Sequence, residues 1–173
     1  MRVQLADAGD RERIAAMFAR CSPATLHQRF HAPVACPPAR YLDWLLGASP
    51  RHVALVAREG EDVIGVAEAH RGKDGISEVA LVVEDAWQRH GVGGELFRAL
   101  LGSQRRLGAR TIRATVLAEH GWLVRCLARL HRATAATAGT TCEIVIPLGR
   151  HERRRTATSH PTTEQRVATS ASV

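Results

Sequence analysis

Val82-Val83-Glu84-Asp85-Ala86-Trp87-Gln88-Arg89-His90-Gly91-Val92-Gly93-Gly94 joins an apolar segment to an amphipathic one. The first segment, Ile76 to Glu84, reads as a long, apolar strand. The second runs from Gly91 to Leu107. Leu96, Phe97, Leu100, Leu101 and Leu107 recur there at helical spacing, and Arg98, Arg105 and Arg106 fall outward. Gly108 ends it. A helix start of this kind presents unpaired N–H groups and a partial positive charge. Glycines let its backbone approach an anion without Cβ interference. A row of such N–H groups is a nest for a phosphate or pyrophosphate.

Upstream of this loop, His52–Arg58 and Asp62–His70 read as strands joined by the turn Glu59-Gly60-Glu61. Arg71-Gly72-Lys73-Asp74-Gly75 turns the chain into the Ile76 strand, which completes an antiparallel meander. Before the meander come a short strand, Val3 to Leu5, and three helices. Asp10 caps the first, with Ile14, Met17, Phe18 and Cys21 on one face. Ser22 and Pro23 open the second, which runs to about Phe30. The third carries Tyr41, Leu42, Leu45 and Leu46 and stops at Gly47. Pro33, Pro37 and Pro38 separate them.

Downstream, Thr111 to Leu117 is a strand, so strand–helix–strand implies a parallel crossover. A last helix spans about Gly121 to His131, with Trp122, Leu123, Cys126, Leu127 and Leu130 expected on one face. Thr141 to Pro147 closes the sheet. From Gly149 on, the composition turns to Thr, Ser, Arg and Ala without periodicity. Residues 149–173 are therefore expected to be a disordered basic tail. Residues 1–148 are expected to form one α+β domain, a mixed, mostly antiparallel sheet flanked by helices.

Composition narrows the function. Apolar residues make up 45% of the 173, as in a soluble globular protein. No apolar run approaches the ~20 residues that span a bilayer, and the N-terminus lacks a signal pattern. A cytoplasmic protein without membrane association is expected. Cys21, Cys36, Cys126 and Cys142 show neither CxxC nor zinc-ligand spacing, so reduced, mostly buried thiols and no metal are expected. The net charge of +7 suits a polyanionic cofactor as well as a nucleic acid. Seven aromatics, three Phe, three Trp and one Tyr, are too few for a base-stacking platform.

Two nucleotide motifs fail on the loop. A Walker loop needs Gly-Lys-Ser/Thr, which is absent. A Rossmann fingerprint needs a third glycine where Leu96 stands. What remains is Gln-x-x-Gly-x-Gly, present as Gln88-Arg89-His90-Gly91-Val92-Gly93. This resembles the acetyl-CoA-binding signature of the GNAT superfamily of N-acetyltransferases, with the strand before it and the helix after it in the family's places. The resemblance covers roughly residues 1–148. It implies acetyl-CoA as co-substrate, with its pyrophosphate held by backbone N–H groups of Gln88, Arg89, His90, Gly91, Val92, Gly93 and Gly94. It also implies that Leu81, Val82 and Val83 pair with the pantetheine arm, one N–H there stabilising the oxyanion.

Transfer to an amine needs a base. Ser77-Glu78-Val79-Ala80-Leu81-Val82-Val83 is similar to a stretch of bacterial GNAT protein-lysine acetyltransferases in which a glutamate at this position is the base. Glu78 is the first candidate, with partial burial expected to raise its pKa; a solvent-facing strand glutamate is the other reading. Glu68 is second, and His70 and His90 follow. Many family members place Asn at the start of the last helix, a Tyr acid seven residues later and then Gly-Phe. Here His120, Leu127 and His131-Arg132 stand there, so no side-chain acid is identified. His120 is counted with the cofactor-binding residues.

The acceptor is expected to be a primary amine, of a protein lysine or of a small molecule. Ser22-Pro23-Ala24-Thr25-Leu26-His27-Gln28-Arg29-Phe30-His31 looks like a stretch preceding the cofactor core of bacterial lysine acetyltransferases. Equally, it reads as a packing helix with Leu26 and Phe30 inward and Arg29 in a structural ion pair. The protein is read as a monomer or homodimer. Two other functions fit the same residues: a catalytically degenerate acyl-CoA-binding module, and a nucleic-acid binder resting on Arg150-His151-Glu152-Arg153-Arg154-Arg155.

Overall fold

In the computed structural model, which describes residues 1–149, seven strands form one sheet. They are β1 (Arg2–Leu5), β2 (His52–Glu59), β3 (Asp62–Arg71), β4 (Ile76–Val83), β5 (Thr111–Leu117), β6 (Thr134–Ala138) and β7 (Thr141–Pro147). Their order is β1-β2-β3-β4-β5-β7-β6. Only β4 and β5 run parallel. The helices are α1 (Arg11–Arg20), α2 (Pro23–Phe30), α3 (Ala39–Leu46), α4 (Val92–Arg106) and α5 (Gly121–His131). The α+β domain and its mostly antiparallel sheet are as the sequence implies. From Arg150 on, the expected tail lies outside the described residues.

Strand alternation sorts the two faces. On one, Val56, Val66 and Val82 meet Ile14, Met17 and Phe18 of α1, Leu26 of α2 and Leu45 of α3. On the other, Ala67, Ala69 and Val83 meet Val92, Leu96 and Leu100 of α4. Gly65 is needed under α4: a Cβ there would stand 3.0 Å from Leu96 Cδ1. A third cluster joins Leu101 of α4 and Leu127 of α5 to Ile112, Ile144 and Ile146.

Two buried polar contacts tie the layers. Ser77 Oγ donates to Gln104 Oε1 at 2.7 Å, linking the start of β4 to α4. Asp10 and Arg58 form an ion pair between the start of α1 and β2.

Several sequence expectations are corrected. Gly91 is not helical but caps α4 in a left-handed conformation. Leu107 ends α4 and is 37% exposed rather than inward. Trp122 is 62% exposed and Cys126 is exposed too, so α5 buries Leu127 with Leu123 and Val124 alongside. Heptad-like spacing could not separate those faces, because the helix turns by 100° per residue and Trp122 sits at the margin. Cys21 and Cys142 are buried, but Cys36 and Cys126 are exposed. Strand β6, Thr-Ala-Ala-Thr-Ala, has no apolar alternation and is wholly exposed; β7 pairing alone defines it. No helix among the described residues is long and apolar enough to cross a membrane.

Candidate active site

β4 and β5 pair over only three residues, from Ile76↔Thr111 to Glu78↔Arg113. Beyond that they no longer pair with each other: β4 continues to Val83 along β3, and β5 to Leu117 along β7. The sheet therefore splits after Glu78. Because the strands are parallel, the loop before α4 and the start of α5 lie at the same open end. Glu84 N–H donates to Ile64 O on β3. Alternation then turns the peptide groups of Val82 toward β3 and those of Leu81 and Val83 toward the edge that β5 has left. This corrects the expected trio. Leu81 and Val83 can offer backbone to a guest in the split, whereas Val82 is spent on β3, with its side chain in the core.

The loop between β4 and α4 is shaped by its own residues. Asp85–Trp87 make one 3₁₀ turn. Gln88 closes it, its N–H donating to Asp85 O at 3.2 Å. Its side-chain Nε2 donates to Val83 O at 3.1 Å and Thr25 Oγ1 at 3.0 Å. Gln88 thus builds the loop; it has no free N–H to offer, contrary to expectation. Arg89 and Gly91 take positive φ, 62° and 85°. The His90 ring nitrogen Nδ1 lies 2.8 Å from Gln88 O. The first N–H that finds a helical acceptor is that of Glu95, on Gly91 O. The N–H groups of Val92, Gly93 and Gly94 have no carbonyl one turn before them. A Cβ on Gly91 or Gly94 would meet nothing within 4 Å. The nest is therefore open on the side from which an anion approaches. These observations fit a pyrophosphate on the loop and a CoA arm along β4.

A clamp holds the loop against α2. Ser22 N–H and Oγ donate to the Asp85 carboxylate at 2.8 and 2.7 Å, and Thr25 Oγ1 donates to it at 2.9 Å. Ser22 is at once the N-cap of α2. Partial burial disfavours the Asp85 charge, but the Ser22 and Thr25 hydrogen bonds outweigh it and hold the carboxyl below the usual carboxylate range. A depressed folded-state pKa stabilises above the ordinary value and is lost as pH falls through the folded one. Asp85→Ala is expected to cost about 1–2 kcal/mol at pH 7. The difference from wild type, read from urea midpoints, should shrink as the pH falls through the carboxylate range. Next to it, Glu84 is buried and paired with Arg20 at 2.9 Å.

On the face covered by α2 and α3, a groove of about 590 Å³ borders the split. Arg29, His31 and Trp44 line it from the helices, Glu68 and His70 from β3, Glu78 from β4, Arg113 and Thr115 from β5 and Glu143 from β7. The Glu78 side chain is 70% exposed and stands 3.8 Å from Arg113. The expected partial burial is thus absent: position 78 is the last paired residue before the split, and no element covers it.

Glu68 is the buried carboxylate, its side chain 8% exposed. It pairs with Arg29 and accepts from Tyr41 Oη at 3.0 Å. Burial raises its pKa; Arg29 and Tyr41 pull the other way without cancelling it. Arg29 also stacks over the Tyr41 ring. Of the two readings of the 22–31 stretch, the structural ion pair of Arg29 is present, and Arg29 also forms a wall of the groove. Burial pushes the Tyr41 hydroxyl strongly upward. His70 sits beside Glu78 across the strands, and His90 stays with the loop. His120 stands at the N-cap position of α5 without a side-chain capping bond; its Nε2 is buried, 3.6 Å from Glu119 Oε1, with no hydrogen-bond partner among the described residues. Leu127, in the usual place of the acid, is buried. Burial, with Asp85 and Glu84, pushes the Cys21 thiol up to about 11, so it keeps its proton at neutral pH. Among the described residues no group of three or more His, Cys, Asp or Glu could hold a metal ion.

Arg113, Thr115 and Glu143 did not emerge from the sequence. Their signal was the alternation of β5 and β7, legible only once the order β4-β5-β7 is known.

Known proteins share this layout. The GNAT domain of S. lividans PAT superposes with a TM-score of 0.77 at 22% identity, over 84% of this chain and 89% of that one. The yncA protein of Salmonella typhimurium, solved with its cofactor acetyl-CoA, gives 0.69 at 21%, over 87% and 95%. The ribosomal-protein-S18-alanine N-acetyltransferase of Escherichia coli gives 0.68 at 12%, over 88% and 97%. At these identities the likeness is one of fold. No curated protein matches the sequence. The sequence model of the Acetyltransferase (GNAT) family matches residues 13–131, which include the split sheet, the glycine loop and α4. The chain therefore belongs to the GNAT family of acetyl-CoA-dependent N-acetyltransferases.

Proposed function

We propose that this protein transfers the acetyl group of acetyl-CoA to a primary amine, of a protein lysine or of a small molecule, by direct attack within a ternary complex. The observation that carries the reading is the place of Glu78. Its exposed carboxylate stands where β4 and β5 part, between the groove and the open edge of β4.

The acetyl-CoA pyrophosphate lies on the N–H groups of Arg89, His90, Gly91, Val92, Gly93 and Gly94, with the pantetheine arm along Leu81 and Val83. His120 faces it from α5. Glu78 takes a proton from the acceptor's ammonium. The freed amine nitrogen bonds to the thioester carbon, the carbon–sulfur bond breaks, and CoA leaves as thiolate. A β4 N–H facing the split stabilises the oxyanion. The nitrogen sheds its second proton to water, and the thiolate takes one back from water, because Leu127 offers none and the Tyr41 hydroxyl is committed to Glu68.

Leu127 also favours a second reading, an acyl-CoA-binding module without turnover. Calorimetric titration with acetyl-CoA, followed by thiol release on a panel of amines and lysine peptides, separates the two. Micromolar binding with thiol release is the expected result. Binding without release on any acceptor supports the second reading, and absence of binding refutes both.

A further inference from the structure

Three charges at the mouth of the split are shared unevenly. Glu78, Arg113 and Glu143 all line the groove. Glu78 and Arg113 are register partners across β4 and β5, and Glu143 is paired with Thr115, two residues along β5. Arg113 Nη1 is 3.8 Å from Glu78 Oε1, and Arg113 Nε is 3.4 Å from Glu143 Oε2. Charge-assisted hydrogen bonds close to about 2.7–2.9 Å, so neither contact is one. Arg113 Nε is buried without a hydrogen-bond partner among the described residues. One guanidinium is thus held between two carboxylates and closes on neither.

No other group in the groove explains that suspension. Arg29 is committed to Glu68 and Tyr41. The remaining titratable groups on this side of Glu78 are His70 from β3 and His31 from α2. If Glu143 were neutral, Glu78 would be the one carboxylate left for Arg113. Arg binds a carboxylate through two parallel N–H donors, which occupies both of its oxygens. A carboxylate so occupied cannot accept a proton from an incoming ammonium.

We propose that Glu143 is a positioning residue for acetyl transfer: it draws Arg113 toward β7 and so leaves the Glu78 carboxylate free to take the acceptor's proton. The inference rests on the reading of Glu78 as base. In the step concerned the ammonium N–H bond breaks, the proton goes to a Glu78 oxygen, the nitrogen lone pair forms the bond to the thioester carbon as CoA thiolate departs, and the nitrogen's second proton passes to water, leaving the neutral amide. Glu143 exchanges no proton. Its work is to hold a cation away.

The test is second-site rescue. Glu143→Gln is expected to lower kcat at least about 10-fold on an amine that wild type acetylates, with acetyl-CoA affinity by calorimetry and melting temperature unchanged. Adding Arg113→Gln removes the guanidinium, and the double variant is expected to regain most of that loss. A purely structural role for Glu143 would show no rescue, because the double variant would lack both partners. Glu143→Lys, which repels Arg113 toward β4, should be at least as slow as Glu143→Gln and reads the same effect independently. Wild-type kcat in both single variants, or a double variant as slow as Glu143→Gln, overturns the proposal while acetyl transfer by Glu78 stands. Wild-type protein that releases thiol with no amine takes both down together.

Discussion

Glu78→Gln is expected to lower turnover by about 10²–10⁴-fold with little change in acetyl-CoA affinity. The amide has nearly the same shape as the carboxylate and cannot take the acceptor's proton. Glu78 is exposed, and its 3.8 Å contact with Arg113 is a surface ion pair. Such pairs contribute about 0–1 kcal/mol, so the variant should remain folded. Single-turnover thiol release beside calorimetry checks both halves. Turnover retained at neutral pH would move the base role to Glu68 or to water. Glu68 is poorly placed for it, because Arg29 and Tyr41 already hold both of its oxygens.

Gly91→Glu and Gly93→Glu are each expected to abolish acetyl-CoA binding, a loss of more than about 100-fold in affinity, or about 2.8 kcal/mol. The two act differently. Gly91 has φ 85°, where an L residue is strained by about 1–2 kcal/mol. A side chain there has room, so strain and charge act together. Gly91→Ala isolates the strain and should weaken binding less. At Gly93 φ is ordinary, and an added Cβ would be 3.6 Å from Leu81 and 3.7 Å from Val83, normal contact distances. Gly93→Glu therefore tests chiefly the negative charge beside the orphan N–H groups of α4. Unchanged affinity in both glutamate variants would show that the pyrophosphate lies elsewhere.

The glycine loop was legible because its requirements are local. Glycines that free the backbone and a helix start with unpaired N–H groups are properties of a few consecutive residues, as are the turn at Glu59-Gly60-Glu61 and the end of the helix before Gly108; that Gly91 stands before the helix at positive φ emerged only from the structure. Gln88 shows the limit of that reading. Its place in the motif was plain, but its partner Thr25 is 63 residues away, and that bond with the one to Val83 turns it from a binder into a brace. Strand β6 was illegible for a different reason. Five small residues exposed on both faces carry no apolar period, and only the ladder to β7 makes them a strand.

By itself, then, the sequence determined the succession of elements apart from β6, the open helix start after the glycine loop and the glutamate on β4, because periodicity, capping and backbone freedom act over a few residues. The tertiary structure alone decided where the sheet splits, which strand residues face the gap, and that Arg113 and Glu143 stand beside Glu78. Those facts depend on strand order and register, and residues 30 to 65 positions apart become neighbours only through the pairing of β4, β5 and β7. Solvent exposure of Glu78 was decided in the same way, since nothing in the residues around it states which elements will leave it uncovered.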